Sequence, residues 1–211
     1  MKLNEYLKQS ARTEPPESPT YTGADRLIHA VLGIITEMDE SNNSVGHENK
    51  VEEIGDIMWY WAIIPRMQDV SDIETLLAPS RTARTITGNM SHNVAIIADI
   101  AKAWKFYGKL PDWETVNASW ANIYRYIDRA LTNSAINMAD VLDVNVRKLR
   151  TRYPDMFTAD RAINRDLAAE TVVIGASLHK FAVKPADPNT ETARHEALKN
   201  PGAPINLPHT V

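Results

Sequence analysis

GIITEMDESNNSVGHENKVEEIGDIMWYW, residues 33–61, decides how the chain is read. Two acidic pairs lie in it, Glu37 with Glu40 and Glu53 with Asp56. Each pair is spaced i, i+3, which puts its two carboxylates on one side of an α-helix. Between the pairs stand Asn42, Asn43, Ser44 and Gly46, residues that favour loops. The stretch therefore reads as helix, short turn and antiparallel helix, with all of these carboxylates able to converge. Held close, they repel strongly. A hard divalent cation with oxygen ligands relieves that repulsion, and Mg²⁺ is the usual ion where phosphate is bound as well. Taken alone, acid at helical spacing more often describes a solvated helix face.

Outward from this stretch, the helix carrying the first pair is predicted over 25–41, with Leu27, Val31, Ile34, Ile35 and Met38 as its core stripe. Asp25 is its N-cap or an acidic first-turn residue. Glu37 and Glu40 continue a different line, through Ala30 and Gly33. Glycine inside a helix costs about 1 kcal/mol relative to alanine, so Gly33 is expected to have a packing reason. The second helix is predicted over 49–64, with Val51, Ile54, Ile57, Met58, Trp61 and Ala62 apolar and Pro65 as its stop. Its line Glu53, Asp56, Tyr60 ends on an aromatic ring.

The rest of the chain extends an all-α pattern. A short helix is predicted over 3–11, followed by a loop from Thr13 to Pro19. A further short helix over 70–77 leads to a loop over 79–89 that carries Arg81 and Arg84. Longer helices follow over 91–107, ending at Gly108, over 112–132, and over about 135–152, before Pro154. Residues 158–170 read as a short terminal helix. After Glu170 the composition shifts. Residues 172–183 read as an extended piece, and 184–211, rich in Pro, Asn and Thr, as an unpacked tail. The expected organisation is a helical domain over 1–170 and a largely irregular extension over 171–211.

Composition narrows the function. The formal net charge of −4 provides no basic field, so nucleic acid is not an expected partner. There is no cysteine, which excludes disulfides and thiolate zinc sites. The first residues, MKLNEYLKQSARTEPPES, have no apolar h-region, and no apolar run approaches the ~18 residues that a membrane span needs. A soluble, cytoplasmic protein is expected. Exposed apolar faces on two-helix units usually pair, which makes a homodimer or higher homo-oligomer the expected state.

The two longest helix pairs resemble each other. GIITEMDE at 33–40 can be laid on AIIADIAK at 95–102, and EIGDIMWYWA at 53–62 on SWANIYRYID at 119–128. Asp56 then matches Asn122 and Tyr60 matches Tyr126, while Glu37 matches Asp99, Glu40 matches Lys102 and Glu53 matches Ser119. The first half of this register is uncertain by one helical turn. Two readings stay open: a degenerate internal repeat with one working half, or amphipathic pairs that look alike by chance.

Residues 24–62 and 145–165 resemble the MazG-type all-α nucleoside triphosphate pyrophosphohydrolases, including variants carried by bacteriophages. The pattern of that family is E-x-x-E, a spacer, then E-x-x-D, which Glu37, Glu40, Glu53 and Asp56 fit. A downstream N-x-x-K-L-x-x-R-(H/Y)-P fits Asn145, Lys148, Leu149, Arg152, Tyr153 and Pro154, and the match extends to NRD at 164–166. Against smaller members, the chain has a long additional segment before the KL helix and a very short loop between the acidic helices. Lys102 and Lys105, in KAWKFYGK, resemble the lysine-bearing segment missing from that loop. The additional helix pair is also similar to the related all-α dimeric dUTPases.

The resemblance implies a MazG-like helical bundle. Its activity would be hydrolysis of a ribo- or deoxyribonucleoside triphosphate to the monophosphate and pyrophosphate, by metal-activated water attacking the α-phosphorus. Mg²⁺, with Mn²⁺ able to substitute, would be held by Glu37, Glu40, Glu53 and Asp56. Glu53 or Glu40 would orient the water or take its proton. Lys148 and Arg152, with Asn145 on the same side, would hold the triphosphate. Tyr60 would pack on the base, and Lys102 and Lys105 would add charge for the phosphates. Each assignment has a plainer counterpart: charges at a helix C-terminus for Lys148 and Arg152, core packing for Tyr60, and surface charge for Lys102 and Lys105. The alternative to an enzyme is a nucleotide-binding or sequestering protein of the same fold with slow chemistry. For a phage-encoded chain, the location implied is the host cytoplasm.

Overall fold

In a computed structural model, residues 1–44, 46–70, 72–77 and 89–178 are described. The loop expected over 79–89 falls almost wholly outside these residues, as does the tail over 184–211. Among the described residues there are helices and no strand: α1 (Leu3–Ala11), α2 (Gly23–Asn43), α3 (His47–Trp61), α4 (Ile63–Arg66), α5 (Ile73–Leu77), α6 (Met90–Tyr107), α7 (Trp113–Asn133), α8 (Met138–Arg152), α9 (Ala159–Ile163) and α10 (Leu167–Leu178).

The α2–α3 hairpin is the centre. Helix α2 packs on α3 and on α6, α6 packs on α7, and α3 packs on α8, which also meets α1 and α10. Helix α2 begins with a capping box: Thr22 is the N-cap, and the Asp25 carboxylate accepts from the Thr22 amide at 3.0 Å. Asp25 is therefore the acidic first-turn residue. Leu27, Val31 and Ile34 are buried, but Ile35 is 46% exposed, so the core stripe is narrower than predicted. The turn into α3 rests on Gly46, whose φ of 99° is disfavoured for residues with a Cβ.

Pro65 does not end α3 where it stands. It sits inside the short helix α4, and the break falls at Ala62. Proline has no N–H for the carbonyl four residues back, here that of Trp61. That carbonyl accepts instead from the Trp120 indole at 3.0 Å, and the Trp61 indole donates to the Trp120 carbonyl at 3.1 Å. The two rings stack with centroids 4.2 Å apart, which ties the end of α3 to α7.

Helices α6, α7 and α8 carry side-chain N-caps from Asn89, Asp112 and Asn137, and α6 ends on Gly108 in the left-handed region as expected. The C-terminal part differs from expectation. Residues 158–170 form α9 and the start of α10, and α10 continues to Leu178 across the boundary expected after Glu170. Residues 1–178 form a compact unit. The run VVIGASL suggests an extended segment because it is apolar and partly β-branched. It is helical because Ile174 and Ser177 are buried on the face packed against α8.

Candidate metal and anion site

The α2–α3 packing brings three of the predicted carboxylates together. One oxygen each from Glu37, Glu40 and Glu53 lies within 4.8 Å of the others. Glu37 and Glu53 are half-buried and hydrogen-bonded to each other; Glu40 is exposed. Burial, followed by the charges of Asp56 and Glu40, pushes the Glu37 carboxyl up to about 8. Glu53 is raised as well, by burial first, although its bond with Glu37 works the other way. Glu37 thus keeps a proton at neutral pH unless positive charge arrives. The three groups could hold a hard cation, since the donors are carboxylate oxygens only and they converge.

Asp56 does not join the three. Its Oδ1 accepts from the Asn145 amide nitrogen at 2.8 Å, and its Oδ2 from the Lys148 ammonium. The Asn145 amide is oriented by Tyr6 of α1, whose fully buried hydroxyl donates to Asn145 Oδ1 at 2.8 Å. Lys148 is 1% exposed and also donates to Glu52 at 3.2 Å. Burial disfavours its charge, but Asp56 and Glu52 outweigh that and raise its pKa. Lys148, expected to hold phosphate, is placed with its charge enclosed between two carboxylates.

Beside the acid cluster opens a cavity of about 390 Å³, lined among others by Glu37, Asp56, Tyr60 and Arg152. Tyr60 lies directly over Gly33, where an added Cβ would sit 2.2 Å from its ring. That is the packing reason expected for the glycine. Next to Tyr60, the rings of Trp59 and His29 meet edge to face, with centroids 4.9 Å from Tyr60 to Trp59 and 5.3 Å from Tyr60 to His29. Burial, with Glu37 and Asp56 nearby, pushes the Tyr60 hydroxyl up to about 12, so it remains a neutral donor. The wall is closed by the loop after α1. Thr13 accepts the Trp59 indole N–H at 2.7 Å, and Glu14 binds Arg26 and Arg66, each at 2.8 Å.

Arg152 lines this cavity while pairing with Glu170 of α10. Lys102 and Lys105 do not line it. Lys102 pairs with Asp99 one turn back on the exposed side of α6, and Lys105 pairs with Asp25. Asp25 is twelve residues before Glu37 on α2, or roughly 18 Å along the axis at 1.5 Å per residue. Both lysines keep their plainer reading as surface charges. The sequence reading missed Tyr6, Thr13, His29, Glu52 and Glu170, and gave Arg165, within the NRD match, no role. A signal existed for His29, which falls four residues before Gly33 on the line that leads to Glu37. No signal existed for Tyr6 or Glu170, whose partners lie far off in sequence or on an unexpected helix. No family model matches the chain, and no curated protein or solved structure matches it.

Proposed function

We propose that the chain is a MazG-like, Mg²⁺-dependent hydrolase that converts a ribo- or deoxyribonucleoside triphosphate to the monophosphate and pyrophosphate. The observation that carries this reading is the convergence of Glu37, Glu40 and Glu53 within 4.8 Å, beside a cavity that also has an aromatic and a guanidinium wall. The donor set fits Mg²⁺ or Mn²⁺, since all donors are carboxylate oxygens and they converge within 4.8 Å. When bound, such an ion lowers the pKa of water and offsets phosphate charge. The protein groups do the rest. Glu53 or Glu40 orients the attacking water and takes its proton. Asp56, held by Asn145 and Lys148, keeps the acid wall fixed. Arg152 binds the phosphates, and Tyr60, Trp59 and His29 surround the base. A cavity of about 390 Å³ that buries aromatic surface suits a nucleobase and excludes bulk water around it.

Two further expectations belong to the same reading. The open groove between α2 and α6, lined by Ile35, Met38, Val94, Ala95 and Ala98, supports a homo-oligomer. The second is that α6 and α7, which pack on each other, form a helix pair related to α2 and α3. The deciding experiment is phosphate release from a panel of nucleoside triphosphates with Mg²⁺, with and without added inorganic pyrophosphatase. Release that appears only with pyrophosphatase supports the reaction. Magnesium-dependent nucleotide binding without turnover selects the sequestering protein instead, and no binding at all removes both.

A further inference from the structure

Glu170 is 2% exposed, yet it is bonded to two arginines. Arg152 donates through Nε at 2.8 Å and Nη2 at 2.7 Å, and Arg165 through Nη2 at 2.9 Å. One carboxylate therefore faces two guanidinium groups, and the cluster is left with a net positive charge. Burial alone would raise the Glu170 pKa, but both arginines overcome it and hold the group at about 2, so it stays ionised at any working pH. The bridge uses only part of each guanidinium: Nη1 of Arg152 and Nε and Nη1 of Arg165 lie outside it. Both arginines line the 390 Å³ cavity whose other wall holds Glu37 and Asp56. The cavity is thus cationic on the α8–α10 side and acidic on the α2–α3 side. A ligand that suits both walls carries cations at one end and several negative oxygens at the other.

We propose that Arg152 and Arg165 form a two-guanidinium clamp for the condensed phosphates of the substrate, and that Glu170 is the positioning residue that holds the clamp at the cavity wall. This rests on the triphosphate reading above and makes α10 part of the site. Arg165 adds the cation that Lys148 does not supply. Glu170 touches no substrate; it fixes two long side chains that otherwise swing into solvent, and so removes their ordering cost before the anion arrives.

The test uses the full chain with inorganic tripolyphosphate as probe, measured by calorimetry with and without Mg²⁺, together with steady-state kinetics on whichever triphosphate is turned over. Losing one charge-assisted contact should weaken tripolyphosphate binding by about tenfold to a hundredfold in Arg165→Ala. Glu170→Gln should weaken it by about tenfold, raise KM by the same factor, and change kcat by less than about twofold. Glu170→Asp should recover part of the affinity. A merely structural role would instead lower the melting temperature and leave KM alone. Unchanged tripolyphosphate affinity in Arg165→Ala would overturn the clamp. Unchanged or tighter binding in Glu170→Gln would overturn the positioning role, since a carboxylate that competes with phosphate must release affinity when neutralised. Tripolyphosphate binding that Arg165→Ala abolishes, in a protein that hydrolyses no nucleotide, would keep the clamp and remove the hydrolase reading. Normal turnover with both variants at wild-type KM would do the reverse.

Discussion

Helices α2 and α3 pack as an antiparallel pair, and so do α6 and α7, yet what each pair holds between its helices is opposite. Between α2 and α3 stand Glu37 and Glu53, bonded to each other with raised pKa values. Between α6 and α7 stand Asn93 and Asn122, bonded amide to amide at 3.2 Å, with Ser119 fully buried nearby. Protein groups satisfy both amides: Asn122 donates to Asn93, Asn93 donates to the Asn89 carbonyl at 2.9 Å, and Asn122 accepts from Arg125 at 3.1 Å. Two carboxylates share a bond only by retaining a proton, and a third carboxylate beside them worsens the repulsion. The helical packing is compatible with either filling, and only the acidic one concentrates like charge between its helices. The contact also bears on the alignment of the pairs. Asp99, matched to Glu37 by sequence, is exposed and faces Lys102, while Asn93 takes the inward place a turn or more earlier. Tyr60 and Tyr126 differ in the same sense: Tyr60 is half-buried over Gly33, and Tyr126 is 51% exposed.

The strongest way to break this comparison is to make the pairs alike. Glu53→Gln gives α2–α3 an amide and should lower Mg²⁺-dependent turnover by more than about a hundredfold while circular dichroism stays unchanged. The converse change, Asn122→Asp, puts a carboxylate into α6–α7. It should leave turnover within about twofold and destabilise the fold by roughly 1 kcal/mol, read by urea denaturation, because a carboxylate cannot donate to Asn93 Oδ1 as the Asn122 amide does, although Arg125, 3.1 Å from that side chain, offsets part of the new charge. Equal loss of turnover in both variants would mean that the pairs are not functionally distinct.

A smaller effect is expected at the support of the acidic pair. Tyr6→Phe removes the hydroxyl that fixes the Asn145 amide toward Asp56. Turnover should fall about tenfold, as is typical for groups that orient those at a site, and stability should fall by roughly 1–2 kcal/mol for the unpaired buried acceptor. Full activity would show that Asp56 needs no such anchoring. At Gly33, alanine would place its Cβ 2.2 Å from the Tyr60 ring. The ring must move, so Gly33→Ala should cost roughly 1–3 kcal/mol, whereas Tyr126→Ala on the second pair should stay within about 0.5 kcal/mol.

How much of this was legible in the sequence depended on the range of the interaction. The helix of α1, the antiparallel acidic pair and the need for a glycine at 33 follow from spacing within one or two turns. The three converging glutamates follow from the same rule. Lys148 illustrates the limit. Its spacing from Arg152 is the same whether it faces phosphate or Asp56, and only the packing of α8 on α3 decides. Pro65 was read correctly as a breaker but placed wrongly, because the carbonyl it strands lies four residues back and finds the Trp120 indole, a partner remote in sequence. Residues 171–178 have a composition that fits strand or buried helix equally, and contact with α8 settles it. Glu170 was hidden for that reason: its role appears only once α10 exists.

The smallest predicted effect separates the pairs without any mutation. The folded chain keeps a proton on Glu37 up to about pH 8, while the unfolded chain loses it near the ordinary glutamate value of 4.5. Between those values the native state binds more protons than the unfolded state, so stability falls as pH rises. His29 works in the opposite direction, since burial lowers its pKa below 6.5, and its contribution fades within about one pH unit above 6.5. Glu170, at about 2 when folded, is ionised in both states at these pH values. The window is therefore pH 6.5 to 8, with Glu37 dominant above about pH 7. Metal-free protein should lose on the order of 1 kcal/mol across it, after allowing for solvent screening of a half-buried group, or roughly 2–4 °C in Tm. Among the described residues, the buried polar contact between α6 and α7 is made by Asn93 and Asn122, which do not titrate, so Glu37→Gln should flatten the profile. Saturating Mg²⁺ should flatten it too, by replacing the proton with a cation, and should release protons on binding. A metal-free Tm that stays level or rises from pH 6.5 to 8 would show that the acidic filling is already compensated within the protein. The contrast between the two helix pairs would then carry no chemistry.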